Sequence, residues 1–113
     1  MLVRADQLYT STLTVGEVLA KPMRQQRLDL VDQYLAFFRR SSMNLLTFDL
    51  KAAEVYAKIV IRARRQGHPM AVEDAQIAAI AASRQFSVAT RDEAPFQAAG
   101  VPVINPWTST PEA

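Results

Sequence analysis

The chain has 113 residues, of which 50% are hydrophobic and 21% are charged, as expected for one globular domain and not for a disordered segment. It has no cysteine and one histidine, which excludes thiol catalysis, disulfides, and zinc centres built from cysteines or several histidines. The net charge of +2 permits a nucleic-acid partner without requiring one. We find neither a membrane-spanning run nor a signal peptide, and we predict a cytoplasmic protein with no membrane association.

The first part of the chain predicts one strand followed by two helices. β-Branched and aromatic residues over 8–14 favour the strand. Thr14 is predicted as the N-cap of the next helix, with Glu17 as its capping-box acid. Pro22 is predicted to end that helix or to open the next turn. The apolar spacing over 27–40 predicts a second, amphipathic helix.

The rest of the chain continues the alternation of strands and helices. A strand over 44–48 is followed by Asp49, the predicted N-cap of a long helix that ends near Gln66. The remaining elements are a helix, a strand, a helical turn and a last strand, at 72–85, 86–90, 92–99 and 101–104. The order β-α-α-β-α-α-β-α-β is typical of an α/β fold with a mainly parallel sheet. We assign residues 1–107 to one domain and predict a disordered tail over 108–113.

Acidic residues stand beside the predicted strand ends and helix starts. Glu17, Asp49 and Asp92 follow the first three strands, and Asp74 begins the helix that leads to the third. Functional sites of parallel sheets lie at the carboxyl ends of the strands, so these acids can converge on one rim. Carboxylates suit Mg²⁺ or Mn²⁺, and two such ions can promote phosphodiester cleavage. The alternative is that each acid only caps or begins a helix.

Four segments carry a family resemblance: Thr14–Val18, Val72–Ala79, Val88–Phe96 and Gly100–Trp107. Together they resemble PIN-domain proteins, and above all the VapC-type ribonuclease toxins of bacterial type II toxin–antitoxin pairs. The resemblance runs from about residue 8 to residue 107 in the family's order and spacing. Each segment is a weak signal alone. The combination of T-x-x-E, D-A-x-I-A-A and T-R-D-x-x-x-F is fairly specific.

The resemblance implies a PIN-like, three-layer α/β/α fold with a mainly parallel sheet, and a metal-dependent endoribonuclease. Glu17, Asp74 and Asp92 match the family's second, third and fourth acids, which hold Mg²⁺ or Mn²⁺, and Thr90 matches a hydroxyl that supports the cluster. The implied partners are an RNA substrate, a cognate antitoxin and a second copy in a homodimer. The candidates for contact with the RNA backbone, each equally explained as part of a solvated helix face, are Arg62, Arg64, Arg65 and Arg91.

The family's first acidic motif, a hydrophobic strand that ends in Asp, has no match in this chain. Asp6 has no such strand before it and is not a substitute. We therefore expect an N-terminally truncated family member, explained by a late start codon or a truncated gene copy rather than by a new architecture. With three acids we expect weaker metal binding and lower activity. The alternative function is an inactive remnant that binds antitoxin or RNA without cleavage.

The missing strand also matters for the sheet, because related folds place it in the middle. Without it, the first and third predicted strands must pair directly, leave a gap or borrow a strand from elsewhere. An open gap is excluded, because unpaired buried backbone groups cost roughly 1–3 kcal/mol each.

Overall fold

The computed structural model describes residues 1–4, 7–40 and 45–105, which form a five-stranded sheet and five helices. The strands are β1 (Leu2–Arg4), β2 (Gln7–Ser11), β3 (Leu45–Leu46), β4 (Ser87–Ala89) and β5 (Val103–Ile104). The helices are α1 (Thr12–Arg24), α2 (Leu28–Arg40), α3 (Leu50–Arg65), α4 (Val72–Arg84) and α5 (Glu93–Ala98). None of these helices is long and apolar enough to cross a membrane. Asp6 and the predicted tail over 108–113 lie outside the described residues.

The sheet is mixed and mainly parallel, which confirms the predicted fold class. Its strand order is β3-β2-β1-β4-β5. β2 pairs in parallel with β3, and β4 pairs in parallel with β5. β1 is antiparallel to both of its neighbours, so β2, β3, β4 and β5 all run in one direction.

β1 fills the centre of the sheet, so the exclusion of an open gap is confirmed, whereas β2 and β4 do not pair directly with each other. Leu2 pairs with Tyr9 of β2 on one side and with Val88 of β4 on the other, and its side chain is only 1% exposed. The chain thus supplies the central strand from its own first residues. Two residues separate β1 from β2, which permits an antiparallel hairpin, whereas a parallel pair needs a crossover of about a dozen residues. Three residues are too few for a periodic signal, so the sequence analysis missed this strand.

Helix α1 differs from its prediction at both ends. Its N-cap is Ser11, whose Oγ accepts a hydrogen bond from the Thr14 N–H at 3.1 Å, so Thr14 lies inside the helix. Glu17 is therefore too far along the helix to be a capping-box acid. Pro22 does not end the helix either, because α1 continues to Arg24. Pro22 lies in the last turn, and burial of its ring in the fold offsets the one hydrogen bond that it cannot donate.

The elements predicted for the second half are all present, and each strand is shorter than predicted. α3 begins after its N-cap Asp49, and Gly67 follows its end with a φ of 76°, a conformation that favours glycine. α3 packs against α4, which buries one isoleucine and four alanines: Ala75, Ala78, Ala79, Ile80 and Ala81. The small side chains let the helices approach closely. The core thus lies where α4 meets the sheet.

Candidate active site

The three acids matched to the family motif lie close enough to influence one another. Burial raises the pKa of Asp74, and the charges of Asp92 and Glu73 raise it further. A hydrogen bond to the Glu73 carboxyl is the main cause of the raised pKa of Glu17, followed by burial and by the charges of Glu73 and Asp74. Neither shift includes an attractive contribution from a Lys or Arg in the described chain. The structure thus places these acids in one electrostatic cluster with excess negative charge.

Three separate elements bring the acids together. Glu17 lies in the second turn of α1, directly after β2, and Asp74 lies in the first turn of α4. Asp92 follows the end of β4 by three residues. β2 and β4 run in the same direction, so Glu17 and Asp92 both emerge at the carboxyl edge of the sheet.

Helix capping does not account for these acids. Asp92 occupies the N-cap position of α5 but makes no side-chain capping hydrogen bond. The N-cap of α4 is Ala71, also without such a bond, and Asp74 is not used as a cap. Glu17 is beyond the capping turn of α1. None of the three carboxylates is therefore used as a helix cap among the described residues.

Asp49, the fourth acid predicted near a strand end, has a structural role instead. Its Oδ1 accepts the Ala52 N–H at 2.9 Å, and its Oδ2 pairs with the Arg84 guanidinium at 2.8 Å. Both contacts lower the pKa of Asp49, the Ala52 bond most. Arg84 lies ten residues after Asp74 in the same helix, which is about 15 Å along its axis. Asp49 is therefore remote from the acidic cluster, and the expected convergence does not include it.

Thr90 orders the turn that carries Asp92. Its Oγ1 accepts the Asp92 N–H at 3.1 Å. Its own N–H donates to the Ile104 carbonyl at 2.9 Å and continues the pairing of β4 with β5. The hydroxyl thus holds the main chain of Asp92, two residues further along the chain.

Glu73 is a cluster member that the sequence analysis missed. It lies directly before Asp74, so the first turn of α4 contains two acids. The motif match gave a role to Asp74 alone, and nothing in the sequence shows that Glu73 meets Glu17 from a different helix. This contact depends on how α1 and α4 are placed.

The cluster suits a divalent cation in chemistry and charge. Carboxylate oxygens are the ligands that Mg²⁺ and Mn²⁺ prefer, and a cation would offset the repulsion between neighbouring carboxylates, which is a smaller cause of the two raised pKa values than the Glu73 hydrogen bond or burial. Within the described ranges, no three acidic or histidine side chains are yet close enough together to form a complete metal centre. The donor set is therefore present, but the coordination shell is not assembled.

Basic residues lie at the same end of the helices as the cluster. The loop 66–71 joins the end of α3 to the start of α4, so the last turn of α3 is on the side of Asp74. That turn contains Arg62, Arg64 and Arg65. Arg62 donates to the Ala98 carbonyl at 2.9 Å and thus holds the end of α5, whereas Arg64 and Arg65 are exposed.

A second feature of interest is the set of exposed apolar side chains on α1 and α2. α2 buries only Val31, and it packs mainly against α1. Leu28 is 69% exposed and Phe37 is 55% exposed, and Val18 and Met23 of α1 are exposed as well.

Known proteins resemble this chain in both sequence and structure. The PIN domain family model matches residues 1–101. Relatives include the plasmid stability protein StbB of Pseudomonas syringae pv. tomato, 39% identical over 90% of this chain and 77% of its own length. VapC ribonuclease Y4jK of Sinorhizobium fredii is 36% identical over 90% and 76%, and Toxin FitB of Neisseria gonorrhoeae is 33% identical over 90% and 77%. A solved structure of FitAB bound to an IR36 DNA fragment matches with a TM-score of 0.84 at 29% identity, covering 98% of this chain and 81% of that one.

Proposed function

Since the chain belongs to the PIN-domain family, we propose that it is a metal-dependent endoribonuclease that acts in the cytoplasm as the toxin of a toxin–antitoxin pair. One observation carries the proposal. Glu17, Asp74 and Asp92 come from three distant segments, escape helix capping and share one cluster with unbalanced negative charge. Packing alone gives no reason to gather them, because like charges at short range destabilise a fold.

In this proposal Glu17, Asp74 and Asp92 are the metal-holding residues, and Glu73 contributes charge beside them. A bound Mg²⁺ or Mn²⁺ supplies activation of water and stabilisation of the leaving oxygen. The chain holds the acids on rigid elements: Asp74 in the first turn of α4 and Asp92 on the turn that Thr90 orders. The hydrogen bond between the Glu17 and Glu73 carboxyls raises the pKa of Glu17 and holds the two side chains close to each other.

The substrate in this proposal is RNA, whose phosphates the acidic cluster repels. Cationic side chains near the cluster must offset that repulsion. Arg64 and Arg65 are suited to this role because they are exposed at the end of α3 that adjoins the start of α4. Arg91 is exposed between Thr90 and Asp92. Arg62 is a weaker candidate because its guanidinium holds the end of α5.

The proposed protein partners are a cognate antitoxin and a second copy of this chain. The exposed apolar side chains of α1 and α2 supply a surface for such contacts. FitAB, the structure to which this chain is similar, is named as a pair that includes the toxin FitB, which supports an antitoxin partner here.

A second candidate function is binding of antitoxin or RNA without cleavage. The specific observation in its favour is that the coordination shell is not assembled among the described residues. This candidate predicts RNA binding that does not depend on Mn²⁺.

The decisive experiment is cleavage of a mixed RNA pool by the purified chain, with Mn²⁺ and with EDTA. The variants are Asp74→Asn and Glu54→Gln, and circular dichroism confirms that each is folded. Glu54 is an exposed acid of α3 that pairs with Lys58, so it controls for removal of a carboxylate outside the cluster. We expect cleavage that requires Mn²⁺, falls at least 100-fold in Asp74→Asn and is unchanged in Glu54→Gln. A folded wild type that binds RNA without cutting it supports the second candidate instead.

A further inference from the structure

The turn that carries Asp92 is held from a second direction, by a residue of the matched segment Gly100–Trp107 to which the resemblance assigns no function. Asn105 follows β5 directly, and its Nδ2 donates a hydrogen bond to Oε2 of Glu93 at 3.3 Å. Both side chains are half-buried. Glu93 is the first residue of α5 and the immediate neighbour of Asp92. The acceptor is a carboxylate, and the distance is at the long end of the hydrogen-bond range.

The position of Asn105 follows from the pairing of β4 and β5. Ala89 is in register with Ile104, and the Thr90 N–H donates to the Ile104 carbonyl. The residue after β5 therefore lies beside the turn after β4. From there Asn105 reaches the start of α5, while Thr90 holds Asp92 from within the turn.

α5 needs such support at its start. It has six residues, which is too short for a helix that is stable by itself, and its N-cap residue makes no capping bond. Its far end is fixed by the buried Phe96 and by the Val101 N–H, which donates to the Phe96 carbonyl at 3.0 Å. At the near end, the bond from Asn105 to Glu93 ties α5 to the sheet.

We propose that Asn105 is a positioning residue for the Asp92 carboxylate, which it fixes by holding Glu93 against the end of β5. The proposal rests on the proposed function, because it assigns Asn105 to the site in which Asp92 holds a cation. Partners that orient a metal ligand from outside the coordination shell change metal affinity by about 10- to 100-fold when they are removed.

The bond can be broken and rebuilt with its polarity reversed. Asn105→Asp places two carboxylates against each other and loses the bond. The double variant Asn105→Asp with Glu93→Gln restores an amide–carboxylate bond, with the donor now at position 93, and keeps the total charge of the pair. Asp29→Asn is the matched control, since Asp29 pairs with Arg27 on the exposed side of α2.

The test measures the Mn²⁺ dissociation constant of the full chain without RNA, by paramagnetic resonance of free Mn²⁺, together with hydrogen exchange of the Asp92 amide without metal. We expect Asn105→Asp to weaken Mn²⁺ binding about tenfold and to speed exchange. The double variant should return to within about threefold of the wild type, and Asp29→Asn should be unchanged. Urea unfolding of each variant separates these effects from a general loss of stability.

Two results overturn the proposal. The first is an Asn105→Asp variant that binds Mn²⁺ as tightly as the wild type does, because the bond then does not position Asp92. The second is a double variant whose Mn²⁺ affinity does not return towards that of the wild type. A wild type that binds no Mn²⁺ and cleaves no RNA refutes the proposed function instead. In that case, hydrogen exchange of the Asp92 amide decides on the positioning role. If exchange is the same in Asn105→Asp as in the wild type, Asn105 does not position the turn. If exchange is faster in Asn105→Asp and the double variant reverses this, Asn105 positions the turn but no metal ligand.

Discussion

The two helical pairs of this molecule differ in what they bury. α3 and α4 bury eight side chains between them, including Ile59 and Ile80, and pack closely through alanines. α1 and α2 bury only Pro22 and Val31 and leave large apolar side chains such as Phe37 exposed. One pair therefore stabilises the fold, and the other presents surface. The acidic cluster lies between them, because Glu17 comes from α1 and Asp74 from α4.

This arrangement explains how a small domain can combine a fixed site with an adaptable surface. Asp74 is anchored in the helix that forms the core. Glu17 is carried by a helix whose other side chains are mostly exposed or half-buried. Binding of a partner to α1 and α2 would thus act on one side of the cluster while the other stays in place.

The largest expected difference between the pairs is in stability. Ile80 of α4 is fully buried, and Ile80→Ala should lower the free energy of unfolding by about 2–5 kcal/mol, through lost burial and the cavity that remains. The matched variant Leu35→Ala in α2, where Leu35 is only half-buried, should cost about 1 kcal/mol. Urea unfolding measures both. Equal costs would contradict the division of roles between the two pairs.

The next largest effect tests whether the central strand β1 stabilises the fold. Leu2 is buried between β2 and β4, so Leu2→Ala should lower the free energy of unfolding by about 2 kcal/mol. Leu2→Met conserves volume and should cost less than about 1.5 kcal/mol. The Ala89 N–H, which donates to the Met1 carbonyl at 2.8 Å, should be protected from hydrogen exchange. A Leu2→Ala chain as stable as the wild type would show that β1 does not complete the sheet.

Sequence patterns predicted the α3–α4 half well and the N-terminal part less well, for physical reasons. The caps of α3 are local signals, and both Asp49 and Gly67 act as predicted. β1 forms because it pairs with strands on both sides, and a segment of three residues is too short to show a strand pattern in the sequence. Ser11 replaces Thr14 as the N-cap because β2 ends earlier than its composition suggests.

The site was predictable only as far as its motifs reach. The family pattern selected Glu17, Asp74 and Asp92, and in the structure Asp74 lies close enough to each of the other two for their charges to interact. Glu73 and Asn105 required three-dimensional information, since each acts on a residue that is distant in sequence or on another element. The roles of all five in metal binding stay predictions.

The smallest expected effects are on the pH dependence of stability. Asp49 and Asp74 both lie at helix starts, but their pKa values are shifted in opposite directions. The folded-state pKa of Asp49 is lowered by the Ala52 N–H and by Arg84, so its charge stabilises the fold above the unfolded pKa of about 3.9. That contribution is lost as the pH falls through the folded pKa. Asn also caps helices well, so Asp49→Asn should be less stable than the wild type at pH 7 and nearly equal to it in strong acid.

Asp74 should show the opposite sign. Its folded-state pKa is raised, chiefly by burial and then by Asp92 and Glu73, so its protonated form favours the fold and that contribution disappears as the pH rises from about 3.9 through the folded pKa. Asp74→Asn should therefore be more stable than the wild type at pH 7 without metal, although we expect it to lower cleavage at least 100-fold. Thermal unfolding at several pH values, with and without Mn²⁺, measures both variants.

Added Mn²⁺ should stabilise the wild type and not Asp74→Asn, because a ligand that binds only the folded state raises its stability. If Asp74→Asn instead lost stability at pH 7 as Asp49→Asn does, Asp74 would be an ordinary helix-start acid and the case for a charged site would fail at its central residue.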